Sequence, residues 1–478
     1  MTQERTPGGA EENLDASLGI VRSSGLISGR TRQLATRAAH LGGDILANSA
    51  ERLGKPTEVE IIDKLVDSGI RNFFWFHCSI TDTMQQVVVD KAKRRELNYF
   101  DAVSEHSLTS MAFGAWLATG EASVVVFQNS GIGNALDGLI TAYTHKAPML
   151  IMPTHRGWDE TDNSEPHQEI GDMTKDLTRT MFKNHSYGER DGRGFSQKLG
   201  QAIDVVKDGG VAGVVLAPKA FNKTVKLEVP EHIREMTSSK YWETRKEKRE
   251  QYKKNARDKG QASNPIKFEL EEDKLPTRSD AIGAIIEHHE KEQQTKPNPK
   301  PVVYLICNGY NARTAYWQHD RVNMLPNVAG MGGGAAIGYG AAWTNPDVDW
   351  VVIDGDQNYN HGSMHPLLAD PKRYPPNLYW YILDNEIGAS VGTAESVSLP
   401  TWAEDVARII PTKADEPGEF NDPRVPNPPE LARRLQHWVL QESKKYRARQ
   451  TALERTTTAV EIPRDTQVGL AGPPQIQV

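Results

Sequence analysis

The sequence predicts an α/β protein built from two doubly wound parallel-sheet domains. Its predicted strands, such as Ser123–Phe127 and Trp350–Asp354, are apolar throughout and alternate with helical patterns. Strands of this kind indicate parallel sheets that helices cover on both faces. The alternation stops in a charged stretch near the middle of the chain and then resumes. A chain of 478 residues has room for two to four domains of roughly 100–200 residues each.

The first series of elements combines short apolar runs, predicted as strands, with longer periodic segments, predicted as helices. The predicted strands are Arg71–Phe76, Ser123–Phe127, Pro148–Met152 and Gly213–Leu216. The predicted helices are Glu58–Ser68, Asp101–Ala118, Gly133–Tyr143 and Phe195–Lys207.

The second series of elements shows the same combination of predicted strands and helices. A helix begins at Ser279 or Asp280, either of which can cap it, and runs to about His289. A second helix, rich in small residues, is predicted at Gly334–Ala342. The predicted strands are Val302–Cys307, Trp350–Asp354 and Leu378–Leu383.

These patterns divide the chain into five segments. Residues 1–56 form an N-terminal arm with one plausible helix, 57–221 the first domain, 222–276 a charged connector, 277–448 the second domain and 449–478 a disordered tail. Charges of both signs alternate in the connector, which favours a solvated helix over a nucleic-acid surface.

Composition excludes several classes of protein. The 56 Lys and Arg against 63 Asp and Glu give a net charge of −7, which argues against a nucleic-acid coat or a protein bound to an anionic membrane. No apolar run approaches the roughly 18 residues of a membrane span, and the N-terminus lacks the apolar core of a secretory signal. The only cysteines, Cys78 and Cys307, exclude a disulfide framework, so we expect a cytoplasmic protein.

The strongest chemical signal lies in the second domain. Asp356 follows the strand that ends at Asp354, and Asn385 follows the next strand, 29 residues later. Parallel strands present such residues at one edge of the sheet, where α/β proteins bind ligands. Carboxylate and amide oxygens suit Mg²⁺, with phosphate oxygens completing its shell. Taken alone, Asp-Gly and Asp-Asn are also common turn dipeptides after strands.

A glycine-rich loop, residues 329–334, precedes the small-residue helix. Its backbone N–H groups can approach a phosphate, and the start of a helix favours negative charge. The loop contains the spacing Gly330-x-Gly332-x-x-Ala335, which resembles a dinucleotide fingerprint. We reject that interpretation because the segment before the loop does not have the pattern of a strand entering a βαβ unit.

The first domain offers a carboxylate, Glu105, at the start of an apolar helix. A lone glutamate there is usually only a favourable partner of the helix dipole. The sequence around Glu105 is more specific. The following segments occur in order: residues 105–120, QNSGIGN at 128–134, His145–Leu150, His155–Gly157 and Ser164–Gln168. Together with Asp356 and Asn385, these segments resemble the phosphonopyruvate and sulfopyruvate decarboxylases, which depend on thiamine diphosphate. The resemblance covers about residues 57–220 and 277–400.

The resemblance implies a pyrimidine-binding domain followed by a diphosphate-binding domain, with thiamine diphosphate and Mg²⁺ as cofactors. Glu105 would support the aminopyrimidine tautomer that removes the thiazolium C2 proton. Asp356, Asn385 and the carbonyl of Ile387 would bind the metal, and Met331 would lie beneath the thiazolium. The remaining cofactor contacts would come from Asn129, Gly131, Asn308, Gly309, Ala329, Gly332, Gly355 and Gln357. Gln357 departs from the family, which usually has glycine there.

The same resemblance implies an anionic 2-oxo acid as substrate, phosphonopyruvate ahead of sulfopyruvate, which is decarboxylated to an aldehyde and CO₂. The candidate substrate residues are Ser79, His106, His155, Arg156, His167 and His361. Each also has a structural explanation: Arg156 can pair with Glu165, and single histidines are often simply hydrogen-bonded. His361 and His365 could suggest zinc, but no third ligand is evident, so a solvent-facing or active-site-edge pair is favoured.

In this family Glu105 would come from one subunit and the metal site from another, which implies a homodimer or homotetramer. Two alternatives stay open. The chain could be a thiamine-diphosphate carboligase, since Gln357 and the polar run from Asn358 to His361 differ from relatives. It could also be a non-catalytic, cofactor-binding partner subunit.

Overall fold

The computed structural model describes residues 55–158, 165–182, 186–188, 194–227, 243, 247, 275–326, 330–370, 372–388, 394–400, 402–413 and 422–459. The described residues from Pro56 onward belong to one compact unit. The predicted arm and most of the predicted connector therefore lie outside the described residues. No described helix has the length and apolar character needed to cross a membrane.

The first half of the described chain forms a six-stranded sheet. Its helices are α1 (Glu58–Asp67), α2 (Asp82–Lys93), α3 (Glu105–Thr119), α4 (Ile132–His145), α5 (Glu165–Phe182) and α6 (Phe195–Lys207). Its strands are β1 (Asn72–Trp75), β2 (Asn98–Asp101), β3 (Ser123–Phe127), β4 (Met149–Pro153), β5 (Ser186–Gly188) and β6 (Val211–Val215). All pairs are parallel, in the order β2-β1-β3-β4-β6-β5.

The second half forms a five-stranded sheet. Its helices are α7 (Arg278–Gln294), α8 (Tyr310–His319), α9 (Gly334–Thr344), α10 (Asp356–His361), α11 (His365–Leu368) and α12 (Pro428–Ala459). Its strands are β7 (Val302–Ile306), β8 (Met324–Pro326), β9 (Asp349–Gly355), β10 (Leu378–Asp384) and β13 (Arg408–Pro411), all parallel in the order β13-β10-β9-β7-β8. A short hairpin joins β11 (Ile387–Gly388) and β12 (Ala394–Glu395).

Both faces of each sheet are buried. On β3, Val124 and Val126 belong to one hydrophobic cluster, whereas Val125 and Phe127 belong to the other. Alternate side chains of a strand point to opposite faces, so helices must cover both sides. The predicted fold class, an α/β protein with two parallel sheets flanked by helices, is confirmed.

Several elements were not predicted: α2, α5, α8, α12 and the strands β2, β5, β8 and β13. Helix α12 runs through Ala459, so the prediction of a disordered tail from residue 449 is wrong for 449–459, and residues 460–478 lie outside the described part. The predicted boundary at 221 falls inside a packed segment. The carboxylate of Glu58 accepts the backbone N–H groups of Thr224 and Val225 at 2.7 and 2.6 Å, which attaches this part of the connector to α1.

The ground on which the dinucleotide interpretation was rejected is also wrong. Strand β8 directly precedes the glycine loop, and α9 connects it to the parallel strand β9. Two other observations oppose that interpretation. β8 lies at the edge of its sheet, and the expected ribose partner, Asp354, is only 1% exposed and accepts a hydrogen bond from Trp380 Nε1 at 2.8 Å.

Candidate active site

Glu105 is the first residue of α3. Ser104 caps the helix, its side chain accepting a hydrogen bond from Ser107 N at 3.2 Å. The Glu105 carboxylate accepts a hydrogen bond from Asn134 Nδ2 at 2.9 Å. Gly131 lies directly beneath this carboxylate, and a Cβ atom added there would collide with it. The carboxylate is therefore held between the start of α3 and the segment that follows β3.

Asn134 was not among the predicted site residues, although it closes the QNSGIGN motif that carried the resemblance. Gly131 was predicted to contact the cofactor, and the structure places it against Glu105 instead. Asn129 holds two neighbouring segments together: its Nδ2 donates to Arg156 O at 2.9 Å and to Thr174 Oγ1 at 2.7 Å. The motif therefore organises this edge of the sheet through contacts within the protein.

Asp356 begins α10 directly after β9 and is 5% exposed. Its Oδ1 accepts the Gln357 N–H at 2.8 Å. Its Oδ2 is buried and forms no hydrogen bond of normal geometry with the described residues. Burial raises the pKa of Asp356 and the charge of Glu386 raises it further, although the Ser396 hydroxyl lies close enough to lower it. A buried carboxylate oxygen without a partner is suited to a cation.

Asn385 directly follows β10, the strand that neighbours β9. Gly355 pairs with Leu383, so residues 356 and 384–385 leave the sheet side by side. Burial raises the pKa of Asp384, and the charge of Asp356 adds to this effect. Ile387 follows in β11, which pairs with β12. The predicted ligand set thus meets at one edge, although no group of three or more His, Cys, Asp or Glu side chains there or elsewhere in the described residues has the geometry of a metal site.

The glycine loop packs against both α10 and the core. Gly330 and Gly332 have positive φ values of 42° and 80°, which other residues rarely adopt. Gly332 N donates to Asn358 Oδ1 at 3.4 Å, and a Cβ atom at Gly332 would lie 2.6 Å from Gly362 N. Met331 is half-buried, and Ala329 lies outside the described residues.

Asn308 and Gly309 connect β7 to α8, at the same edge of the sheet. Gly309 has a φ of 74° and precedes the first residue of α8. Asn308 Oδ1 is buried and has no hydrogen-bond partner among the described residues. Gly355 and Gln357 flank Asp356, and the side chain of Gln357 is half-buried. Those residues predicted to surround the diphosphate that the structure describes therefore cluster at one edge of the second sheet.

The two halves of the predicted site contact each other within this chain. Helices α3 and α9 cross closely, because Gly114 faces the Ile337 carbonyl and Gly340 faces the Met111 carbonyl. A Cβ atom at Gly333 would lie 3.0 Å from Ser110 Oγ and 3.5 Å from His106 Nε2. The start of α3, which carries Glu105, therefore lies over the glycine loop.

His106 is buried between these halves. Its Nε2 has no hydrogen-bond partner among the described residues and lies 3.8 Å from Asp137 Oδ2. Burial lowers the pKa of His106; the charge of Asp137 opposes this shift, and the charge of His361 adds to it. His361 ends α10 and His365 begins α11, so these two histidines do not share the single helix that the zinc interpretation requires.

The other predicted substrate residues lie at the edge of the first sheet. Arg156 donates to the Ser79 hydroxyl, and Lys223 Nζ donates to Ser79 O at 2.9 Å. His167 Nε2 lies 3.5 Å from Gln128 Nε2. His155 points elsewhere: its Nε2 hydrogen-bonds to Gly171 O at 2.8 Å, and burial lowers its pKa. Lys223 was missed because the sequence interpretation assigned it to the connector.

Comparison with known proteins identifies the domain type of a segment in the first half of the described chain. Residues 59–176 match the family described as thiamine pyrophosphate enzyme, N-terminal TPP binding domain. This segment contains Glu105, Asn134 and Arg156, and it has the domain type that the sequence predicted. The match spans less than half of the chain, and the narrower resemblance to phosphonopyruvate and sulfopyruvate decarboxylases stays a prediction.

Solved structures with a similar fold include two thiamine-diphosphate proteins. One is a putative thiamin diphosphate-dependent enzyme from Mycobacterium smegmatis, with 12% identity, a TM-score of 0.49, and coverage of 76% of this chain and 100% of that one. The other is the 4-hydroxybenzoylformate decarboxylase of Rhodococcus jostii RHA1, with 12% identity, a TM-score of 0.48, and coverage of 77% and 100%. No curated protein matches the chain.

Proposed function

We propose that this chain is a thiamine-diphosphate-dependent enzyme that decarboxylates an anionic 2-oxo acid to an aldehyde and CO₂ without oxidation. The observation that carries the proposal is the meeting of two half-sites: Glu105 at the start of α3, and Asp356 with the glycine loop at the edge of the second sheet. A non-catalytic binding subunit would have no need for a carboxylate held in place by Asn134.

The residues present fit the cofactor and its metal. Asp356 offers a buried oxygen that forms no hydrogen bond of normal geometry with the described residues, and Asn385 with the carbonyl of Ile387 would complete the protein's share of a Mg²⁺ site. The glycine loop would bind the diphosphate and Glu105 the aminopyrimidine. When bound, thiamine diphosphate accepts the electron pair released as the substrate loses CO₂. The protein's part is to orient the cofactor and to hold a carboxylate at its pyrimidine ring.

The edge of the first sheet supports an anionic substrate. Arg156 and Lys223 both donate to Ser79, on its hydroxyl and its carbonyl oxygen respectively. Lys223 also forms an ion pair with Asp82, so the proposal of an anion site depends mainly on Arg156. A phosphonate or sulfonate requires cationic or multiple N–H donors. A site built for a second anion rejects a substrate that lacks it, so we propose phosphonopyruvate, ahead of sulfopyruvate, over pyruvate. We further propose a cytoplasmic homodimer or homotetramer. Because the two half-sites contact each other within one chain, we propose that each chain completes its own site, in contrast to the subunit-shared site that the resemblance implies.

The substrate assignment is tested by competition kinetics between phosphonopyruvate, sulfopyruvate, pyruvate and a bulky apolar 2-oxo acid. We expect the highest kcat/KM for a three-carbon acid with a second anion. A higher value for pyruvate or for the apolar acid would refute the anion argument while leaving the cofactor assignment intact. Products are analysed with the 2-oxo acid alone: an aldehyde supports decarboxylation, and turnover only with an added acceptor would identify a carboligase.

The cofactor assignment is tested with Glu105→Gln. This variant should bind thiamine diphosphate nearly as well as the wild type, because the carboxylate does not hold the diphosphate. Its turnover should fall by about 10²–10⁴-fold, the usual loss when a proton-transfer partner is removed. Near wild-type activity would mean that another residue activates the cofactor. Failure of the wild-type protein to bind thiamine diphosphate in calorimetry would refute the function itself.

A further inference from the structure

Three serine hydroxyl groups form a closed triangle at the start of α3. Ser363, which follows α10, lies 2.7 Å from Ser104 Oγ and 2.6 Å from Ser107 Oγ, and the latter two atoms are 3.0 Å apart. Each hydroxyl can donate one hydrogen bond and accept others, so all three sides of the triangle can be satisfied at once. Ser104 and Ser107 belong to the first half of the site, whereas Ser363 belongs to the second.

One corner of the triangle is Ser104, the residue that precedes Glu105. Ser104 is the N-cap, so its position fixes where α3 begins and where the Glu105 side chain leaves the backbone. Asn134 fixes the far end of that side chain, through its hydrogen bond to the carboxylate. The backbone end therefore depends on Ser104 and on the groups that hold Ser104.

Ser363 is itself held by the diphosphate-binding half. A Cβ atom at Gly362 would lie 3.1 Å from Gly332 O, so the backbone before Ser363 packs on the glycine loop. Gly362 N also donates to Asn358 O at 3.0 Å, which joins this backbone to α10. The Ser363 hydroxyl thus connects the half that carries Asp356 to the helix start that carries Glu105.

We propose that Ser363 is a positioning residue that sets the Glu105 carboxylate relative to the glycine loop. The proposal rests on the proposed function, because Glu105 acts there on the cofactor. Without the Ser363 hydroxyl, the Ser104 cap, the Asn134 hydrogen bond and the packing of α3 on α9 persist, so α3 still forms, but the hydrogen bonds that join Ser104 and Ser107 to the second half are lost. Catalytic geometry tolerates little displacement, and an error of about 1 Å can cost about 10²-fold in rate.

The test compares Ser363→Ala with Ser363→Thr, which keeps a hydroxyl, and with Ser68→Ala as a matched control. Ser68 is also a half-buried serine, and its hydroxyl donates to Lys64 O at 2.7 Å at the end of α1, outside the site. Five quantities are measured on the full chain: kcat, hydrogen–deuterium exchange at C2 of bound thiamine diphosphate, the cofactor Kd by calorimetry, Tm, and amide exchange of the peptide spanning residues 104–108.

For Ser363→Ala we expect kcat and the C2 exchange rate to fall together by about tenfold or more, with cofactor Kd and Tm nearly unchanged and faster amide exchange at 104–108. Ser363→Thr should recover most of both rates, and Ser68→Ala should match the wild type. Unchanged C2 exchange in Ser363→Ala would overturn the proposal, as would a loss explained by weaker cofactor binding or a lower Tm.

Failure of the proposed function is distinguishable from failure of this inference. If Glu105→Gln leaves C2 exchange unchanged, or if the protein binds no thiamine diphosphate, the function is wrong. In that case the amide exchange of residues 104–108 still decides the positioning role. Faster exchange in Ser363→Ala than in Ser68→Ala would support the role, and equal exchange would overturn it.

Discussion

Replacing Gly114 by alanine tests the close crossing of α3 and α9, on which the meeting of the two half-sites depends. The added Cβ would lie 2.8 Å from the Ile337 carbonyl carbon and closer still to its oxygen. These are backbone atoms inside a helix, so they cannot move aside as a flexible side chain would. Overpacking of this kind costs about 1–3 kcal/mol, and alanine recovers about 1 kcal/mol through its better helix propensity. A clash with helix backbone belongs at the upper end of that range, about 3 kcal/mol. After the gain of about 1 kcal/mol in helix propensity, we expect Gly114→Ala to lower the free energy of unfolding by roughly 2 kcal/mol.

Urea denaturation of Gly114→Ala and Gly200→Ala measures this difference. Gly200 lies inside α6, where an added Cβ would meet only the end of the Lys64 side chain, at 3.4 Å. Gly200→Ala should therefore raise the free energy of unfolding by up to about 1 kcal/mol. The two variants make the same chemical change in a helix interior and should shift stability in opposite directions. Gly114→Ala as stable as the wild type would refute the crossing geometry, and with it the contact between the half-sites.

Three further outcomes are expected. Asp356→Ala should abolish Mg²⁺-dependent retention of thiamine diphosphate while the urea midpoint stays near that of the wild type, and unchanged cofactor affinity in calorimetry would show that the metal assignment is wrong. Mixing Glu105→Gln with Asp356→Ala protein should not restore turnover, because the segments that carry these residues contact each other within one chain; recovery on mixing would show that each site draws its halves from two subunits. Burial lowers the pKa of His289 to about 3, whereas an unfolded histidine titrates near 6.5, so below pH 6.5 the unfolded state binds more protons and stability falls as the pH falls toward 3. Relative to His289→Gln, the wild type should lose roughly 2 kcal/mol between pH 6.5 and 5, and parallel stability profiles in urea titrations would contradict this.

Much of the fold could be predicted because its central strands are continuous apolar runs. Ser123–Phe127 was predicted with the bounds that the structure shows. The missed elements have weaker patterns: β2 is a polar strand at the edge of the sheet with mostly half-buried side chains. Helix α12 is largely polar and places a few apolar residues, such as Leu435 and Val439, into the core. Local pattern does not reveal such elements, because neighbours distant in sequence stabilise them.

The same distinction applies to the site. Asp356, Asn385 and Glu105 could be predicted because each directly follows a strand or begins a helix, which is visible in the local sequence. Ser363 and Lys223 could not, because their roles depend on contacts with residues more than one hundred positions away. Short motifs therefore point to candidate groups for the chemistry, whereas the residues proposed to position those groups become visible only in the folded chain.

The glycines of the glycine loop are needed for packing within the protein, independently of any phosphate-binding role. An added Cβ at Gly332 would lie 2.6 Å from Gly362 N, and one at Gly334 would lie 2.9 Å from the Asp354 carboxylate and collide with Cys307 Sγ. Protein atoms alone thus require glycine at both positions, whether or not a phosphate binds. Substitution there would disrupt packing and cannot by itself demonstrate a diphosphate site. The proposal of a cofactor depends instead on the buried Oδ2 of Asp356 and on the carboxylate of Glu105, so substitutions at these two residues are the ones that test it.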